Sequence, residues 1–231
     1  MGMHHGVIAA KVPSARLIEV LNSHAPKLEA GAPAQRLDEL ALDATDAGFG
    51  LAFGERAGTT FIFDPSLILS ADFDLMAAVS RDLGTTVLGW GAETVSGTYW
   101  FIACRDGNLV RGYWNCHMDM RAPWSRGPGL ASETKQPFNG DLDGNGLAAG
   151  ARELGFDFED WLKNGPFIAL SYEAIEFPAK GPLGEEFDRF HATVRIPEGQ
   201  QPKITAVLRS APKDQGSDKQ ERKGLRGLFG R

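Results

Sequence analysis

The sequence lacks several features that would assign it to a secreted or membrane class. It has only two cysteines, Cys104 and Cys116, and its apolar runs all stay below the roughly 18 residues that a membrane-spanning helix needs. Its N-terminus does not combine a basic start, an apolar run and a small-residue cleavage site. These absences predict a cytoplasmic protein without a transmembrane segment or a disulfide framework.

Familiar catalytic and cofactor motifs are also missing. The sequence has no G-x-G-x-x-G, Walker-type or G-x-S-x-G pattern, and its five scattered histidines and two cysteines have no zinc-type spacing. The commonest nucleotide-binding and hydrolase classes are therefore disfavoured, and no cofactor is expected.

Charge is distributed unevenly along the chain. The net charge is −6, yet residues 210–231 carry six basic against three acidic side chains, which leaves −9 for residues 1–209. An acidic body disfavours nucleic-acid binding and is compatible with a basic protein partner, or simply with solubility. The sequence leaves the oligomeric state open.

Composition favours a sheet-rich fold, because 28 glycines and 13 prolines indicate many turns and short elements. We expect an α+β fold, with a mostly antiparallel sheet and helices packed against it. Residues 1–209 would form one domain, and the Gly-, Pro- and Asn-rich stretch 121–146 would be a long loop or a seam between subdomains. The composition of 210–231 predicts a disordered, flexible cationic tail.

Turn and cap signals predict the individual elements. Ala57-Gly58 should join strands 49–56 and 59–63 in a hairpin, and a helix should begin after Asp72 and end at Gly84. Further strands are predicted at 6–12, 85–90, 167–172, 190–196 and 204–209. Further helices are predicted after Pro13, within 27–48 (through Leu37, Leu40 and Ala41), at 147–154, and at 157–164 with Asp157 as its cap.

The strongest signal is an aromatic-rich hairpin formed by 98–105 and 108–115 around Asp106-Gly107. Simple alternation predicts one face with Tyr99, Phe101, Ala103, Val110, Gly112 and Trp114, and the other with Trp100, Ile102, Cys104, Leu109, Arg111 and Tyr113. Since both faces are largely apolar, the hairpin should lie centrally in its sheet. This register places Cys104 opposite Leu109 and too far from Cys116 for a disulfide.

One short motif resembles the first half of an EF-hand calcium loop, with Asp141, Asp143 and Asn145 at alternate positions. The twelfth position of the family carries a bidentate glutamate, and here it is Arg152. We therefore interpret the motif as a turn that leads into a helix, with calcium binding as the alternative.

A catalytic site is not evident from the sequence. Cys116 and His117 are adjacent on a predicted strand, so their side chains point to opposite faces and cannot act as a pair. His4 and His5 are interpreted as solvated terminal residues. The enzyme hypothesis would need His117, His191 or His24 together with distant carboxylates, and we read the acidic residues as a solvated face (Glu173, Glu176, Glu185, Glu186 and Asp188).

Two segments are candidates for partner binding. Trp124 lies in a Pro- and Gly-rich segment next to Arg121 and Arg126, and an exposed aromatic between arginines would make a contact patch. Core packing of that loop is the alternative. At the C-terminus, Leu228 and Phe229 lie among cations, which suggests a short docking peptide or a disordered end.

The run 60–114 has the order strand, Asp-Pro, helix with Leu-Gly, strand, and then a Gly-Thr-Tyr-Trp-Phe strand joined by Arg-Asp-Gly-Asn to the next. This run resembles small bacterial domains, some of them similar to the immunity proteins of polymorphic toxin systems. The resemblance implies a non-enzymatic protein-binding module of immunity or scaffold type in a bacterial cell. A hydrolase-like enzyme with a site built from distant carboxylates and a histidine is the alternative.

Overall fold

A computed structural model describes residues 4–24, 28–36, 49–118, 123–138, 143–172 and 180–193. Within these ranges the chain forms an antiparallel sheet with α-helices, which confirms the predicted α+β class. The strands are β1 His4–Ala10, β2 Leu28–Ala34, β3 Phe49–Arg56, β4 Thr59–Asp64, β5 Thr86–Glu93, β6 Thr98–Arg105, β7 Asn108–Cys116, β8 Trp124–Arg126 and β9 Phe167–Tyr172. The helices are α1 Ser14–His24, α2 Phe73–Leu83, α3 Gly144–Glu153, α4 Phe158–Asn164 and α5 Pro182–Thr193, with a 3₁₀ helix at Ala131–Thr134.

The strands follow the order β2-β9-β3-β4-β1-β5-β6-β7-β8, and each neighbouring pair is antiparallel. One sheet thus runs through the described chain, and β8, from the segment predicted as a loop or seam, extends it at one edge. None of the helices in the described ranges has the length and apolar character needed to cross a membrane.

Helices cover both faces of the sheet. On one face, α1, α2 and α5 pack over a core that includes Ile8, Trp100 and Ile102. On the other face, α3 and α4 pack over a second, more aromatic core that contains Trp90 and Phe101. Because both faces of the central strands are buried, these strands are apolar on both sides, as expected for a sheet between two helical layers, whereas the edge strands β2 and β8 are mostly exposed.

Local turn and cap predictions are confirmed. Ala57 and Gly58 join β3 to β4, and Asp106 and Gly107 join β6 to β7, with positive φ at both central residues of each turn. Asp72 caps α2 by accepting the backbone N–H groups of residues 74 and 75, and Gly84 follows its end with φ 63°. Asp157 likewise caps α4.

Two element predictions are wrong. Residues 28–34, the first part of the range 27–48 in which a helix is predicted, form strand β2 instead, because they pair with β9 and because Gly31 and Pro33 are poor helix formers. Residues 190–193, expected to start a strand, belong to α5, where Leu183, Phe187 and Phe190 pack at helical spacing against the core. The rest of the helix predicted within 37–48, and the strand at 204–209, lie outside the described residues.

A β-bulge changes the register of the central aromatic hairpin. Cys104 pairs with Leu109 as predicted, but Ala103 pairs with Arg111, so Val110 is an extra residue. Beyond it, Trp100 lies opposite Trp114 and Phe101 lies opposite Tyr113. The predicted face assignment is therefore wrong for residues 111–114, and β7 presents Tyr113 to the α3–α4 layer. The hairpin lies in the interior of the sheet, between β5 and β8.

Candidate functional site

The most informative cavity, of about 400 Å³, lies between the sheet and the α3–α4 layer. Its sheet wall is formed by His5, Trp90, Thr94 and Tyr99. The imidazole of His5 is edge-on to the Trp90 indole, with ring centroids 5.5 Å apart, and stacks on Phe158 of α4 at 6.1 Å. We refer to this space as the aromatic cavity.

The helical wall combines the first turn of α3, with Asp143, Asn145 and Ala148, and α4 residues including Glu159. Asp143 is the N-cap of α3 and accepts N–H bonds from the backbone of Asn145 and Gly146, from the Asn145 side chain and from Gln136. Burial alone would raise the pKa of Asp143, but these hydrogen bonds together outweigh it and lower that pKa. Glu159 forms an ion pair with Arg152 at 3.4 Å. Both carboxylates therefore already have partners.

Two buried donors on this face of the sheet are unsatisfied. Trp90 is only 3% exposed, and its Nε1 has no hydrogen-bond partner in the described chain. The Nδ2 of buried Asn115 also has none. Asn115 lies on β7 directly opposite Tyr99, so both side chains face the α3–α4 layer. Because buried polar groups are nearly always hydrogen-bonded, these two donors are unusual.

Beside the aromatic cavity, the sheet ends in an exposed apolar pair. Val95, in the β5–β6 turn, is 81% exposed, and Met118, just after β7, is 59% exposed. The backbone N–H groups of His117 and Met118 bond to the carbonyl groups of Gly97 and Ser96, which holds the two segments together. The same turn contributes Thr94 to the cavity wall. Val95 and Met118, which we call the apolar tip, thus lie close to the cavity wall.

A second cavity, of about 440 Å³, lies on the opposite face between α2 and α5. Its carboxylates serve as helix caps: Asp72 caps α2, and Asp74 accepts the backbone N–H groups of Leu183 and Gly184 at the start of α5. Burial raises the pKa of Asp72, and only in part do its backbone hydrogen bonds oppose the rise. These two carboxylates therefore have a structural role, and His24, which also lines this cavity, pairs with Asp82 of α2. The aromatic cavity, whose lining includes a buried donor that is unpaired within the described chain, is the better candidate for a binding site.

The described residues of the predicted contact patch, Trp124 and Arg126, do not form an exposed patch. Trp124 is buried, and its ring packs edge-on to Phe73 at 4.9 Å and against Phe187, so core packing, the alternative interpretation, applies. It is buried because β8 pairs with β7 and brings the indole under α5. Arg126 forms an ion pair with Glu186 of α5. Arg121, Leu228 and Phe229 lie outside the described residues.

The calcium motif contributes to helix α3. Asp143 and Asn145 form the first turn of that helix, as the turn-to-helix interpretation predicts, and Asp141 lies outside the described residues. In the part of the chain that the structure describes, no group of three or more His, Cys, Asp or Glu side chains could hold a metal ion.

Of the predicted catalytic candidates that the structure describes, His24 meets a distant carboxylate, with its Nε2 2.6 Å from Oδ2 of Asp82, but neither cysteine nor His117 joins this pair. Both cysteines are free, as predicted, and burial raises the pKa of Cys104 to about 12, with a smaller effect of Asp74. His117 is exposed and packs against Tyr99. The acidic residues expected on a solvated face partly lie on α5, where Asp188 binds Lys180 and Glu185 lies 3.7 Å from Arg189. Glu173, Glu176 and the side chain of His191 lie outside the description.

Sequence reasoning missed the residues of the aromatic cavity. His5 was interpreted as solvated, but it is half-buried between aromatic rings. Trp90, Asn115 and Phe158 were not singled out. The only local signal is the Gly89-Trp90-Gly91 triplet, where the absence of side chains lets Met76 and Trp100 approach the strand from the other face.

Comparison with known proteins found no relative of this chain. No protein-family model, no curated protein and no solved structure matches it significantly. The resemblance of 60–114 to immunity-type domains therefore stays a prediction.

Proposed function

We propose that this chain is a non-enzymatic protein-binding module, of immunity or scaffold type, that works in the cytoplasm of a bacterial cell. The observation that carries the proposal is the apolar tip, where Val95 and Met118 are exposed next to a wall of the aromatic cavity. An exposed apolar pair beside a concave aromatic site has the arrangement of a binding hot spot, with an anchor pocket and an apolar surround.

Charge supports a basic partner. Residues 1–209 carry a net charge of −9, so a positively charged protein would be attracted and would associate faster at low ionic strength. Added salt is expected to slow association, because charges more than about 8–10 Å apart are screened at physiological ionic strength.

The rival hypothesis is a hydrolase-like enzyme, and it would need a carboxylate available to work with a histidine. His5 shares the aromatic cavity with Asp143 and Glu159. Asp143 is committed to capping α3, and Glu159 is paired with Arg152. The geometry of the aromatic cavity therefore favours binding over acid–base chemistry there.

The test uses affinity capture from native cell lysate, identification of bound proteins, and measurement of the dissociation constant with the purified partner. Three forms are compared with the full chain: a version ending at Ser210, the double variant Val95→Asp/Met118→Asp, and the control Ala15→Asp/Ala57→Asp. The control adds the same two charges at exposed alanines near the opposite ends of the strands.

We expect a stoichiometric complex that the apolar-tip variant weakens at least about tenfold, which corresponds to about 1.4 kcal/mol, while the control leaves it unchanged. Loss of binding on truncation alone would place the docking site in the tail, at Leu228 and Phe229. A partner whose affinity is equal for all four proteins, or the absence of any stoichiometric partner, would refute the proposed surface.

A further inference from the structure

Trp90, in the sheet wall of the aromatic cavity, has an N–H donor without an acceptor among the described residues. The Trp90 indole can only donate, it is buried, and its Nε1 has no partner within the described residues. Leaving a buried N–H group unpaired is costly, so a protein retains one where something else completes the bond. A ligand that reaches Trp90 must therefore offer a hydrogen-bond acceptor.

Asn115 adds a second unpaired donor on the same face of the sheet. Its Nδ2 is buried without a partner in the described chain, and it lies across the strands from Tyr99, a residue of the cavity wall. Asn115 is not part of the lining itself, but a second unsatisfied donor on this face of the sheet also favours an occupant that carries hydrogen-bond acceptors.

The charges around the cavity exclude an ionic occupant. An anion would face Asp143 and Glu159, and the described lining contains no lysine or arginine to balance it. A cation brings no acceptor for Trp90, and the Asp143 carboxylate that would attract it already receives four N–H bonds. An uncharged acceptor fits both conditions, and a carbonyl oxygen, with two lone pairs and no proton to donate, is the common group of this kind.

The size and aromatic lining of the cavity indicate the shape of the group that it binds. The walls are the rings of His5, Trp90, Tyr99 and Phe158, in a space of about 400 Å³. Rings of this kind favour a flat partner that stacks or packs edge-on. We infer that the aromatic cavity binds an uncharged, planar group that bears a carbonyl oxygen, such as an amide on a ring, and that Trp90 Nε1 donates to this oxygen.

This inference goes beyond the proposed function, because the cavity selects the same chemistry whether a protein partner or a free small molecule presents it. The test is an NMR titration of the ¹⁵N-labelled full chain, which has five tryptophans. The Trp90 indole resonance is assigned by its loss in Trp90→Phe. The probes share one ring and differ in the group attached to it: benzamide, benzoate, benzylammonium and ethylbenzene.

Benzamide is expected to shift the Trp90 resonance saturably, and to bind about tenfold more tightly than ethylbenzene, because it satisfies a buried donor. Benzoate and benzylammonium should bind more weakly than benzamide. Trp90→Phe should remove the advantage of benzamide over ethylbenzene. N-acetylphenylalaninamide presents a ring and an amide as a peptide does, so tighter binding than benzamide indicates a partner's side chain, and weaker binding indicates a free small molecule.

Matched variants on α3 test the location of the site. Ala148→Leu fills the cavity and should abolish benzamide binding, whereas Ala149→Leu, the same change one position further along α3, should leave it intact. The inference is overturned if no probe moves the Trp90 resonance up to its solubility limit, or if benzoate binds as tightly as benzamide. It is also overturned if the indole proton of the free protein is shifted upfield and unresponsive, which would show that it donates into the Phe158 ring, perpendicular at 5.4 Å.

The titration and the partner capture can fail separately. A partner whose binding needs the apolar tip, together with a cavity that ignores every probe, would keep the proposed function and remove this inference. Benzamide binding without any captured partner would keep this inference and remove the proposed function.

Discussion

Replacing Glu133 by glutamine should strongly destabilise the fold, because Glu133 neutralises a buried arginine. The guanidinium of Arg111, on β7, donates to both carboxylate oxygens of Glu133, from Nε at 2.7 Å and from Nη2 at 2.8 Å. Its Nη1 donates to the carbonyl groups of Gly112 and Arg126 and to the hydroxyl of Ser125. The side chains of Arg111 and Glu133 are only 3% and 12% exposed.

Glu133→Gln keeps the size of the side chain but removes its charge and turns one acceptor into a donor that faces the guanidinium. Breaking a buried pair by neutralising one partner typically costs about 3–5 kcal/mol, since the other charge remains buried and uncompensated. For a domain of this size each kcal/mol lowers the melting temperature by about 2–4 °C, so we expect a decrease of about 6–20 °C.

The measurement is urea or guanidinium denaturation of the wild type, Glu133→Gln and a control, Glu185→Gln. The control removes the exposed pair with Arg189, whose side chains are 61% and 70% exposed, and should change the free energy of unfolding by less than about 0.5 kcal/mol. Arg111→Met/Glu133→Gln has no buried charge left, so its loss should be smaller than the sum of the two single losses. A Glu133→Gln protein as stable as the control would refute the assigned role of the pair.

Four further predictions follow from local environments. In the native protein at pH 8, a thiol reagent should react with Cys116 and not with Cys104, whose pKa is raised to about 12, and with both thiols in denaturant; two reactive thiols in the native state would contradict this. Asp143→Ala should cost about 1 kcal/mol at pH 7 through loss of the α3 cap, and because the pKa of Asp143 is lowered, the advantage of the wild type over Asp143→Asn should disappear as the pH falls through that pKa. Millimolar calcium should not raise the melting temperature of the wild type, since the Asp143 oxygens are already occupied; a dose-dependent rise would restore the calcium hypothesis. Asp72 should show the opposite pH dependence, because burial raises its pKa above 3.8. The stability of the wild type relative to Asp72→Asn should therefore fall as the pH rises through the folded pKa, and a stability difference that grows with pH would contradict the assignment.

The parts of the fold that the sequence predicted are those determined by neighbouring residues. Asp-Gly and Ala-Gly turns, the caps Asp72 and Asp157, and Gly84 after α2 act within a few residues, so their signals survive in the sequence. The prediction for 28–34 failed because pairing with β9, more than 130 residues away, overrides the helical preference of an alanine-rich segment.

The candidate site could not be predicted from the sequence for a different reason. His5, Trp90 and Phe158 come from β1, β5 and α4, and only the pairing of β1 with β5 and the packing of α4 over them bring the three rings together. An unpaired indole nitrogen also leaves no trace in a sequence, because the same tryptophan would appear whether its N–H group were bonded or free.

The single extra residue at Val110 sets which helical layer every later side chain of β7 meets. Without it, alternation would turn Tyr113 and Asn115 towards α2 and α5, and Trp114 towards α3 and α4. Deleting Val110 would thus shift the register of the rest of β7 by one residue and exchange its two faces. It would move the Asn115 donor away from the aromatic cavity, carry Arg111 away from Glu133, and bury the wrong faces over half a strand, although only one partly exposed valine had been removed.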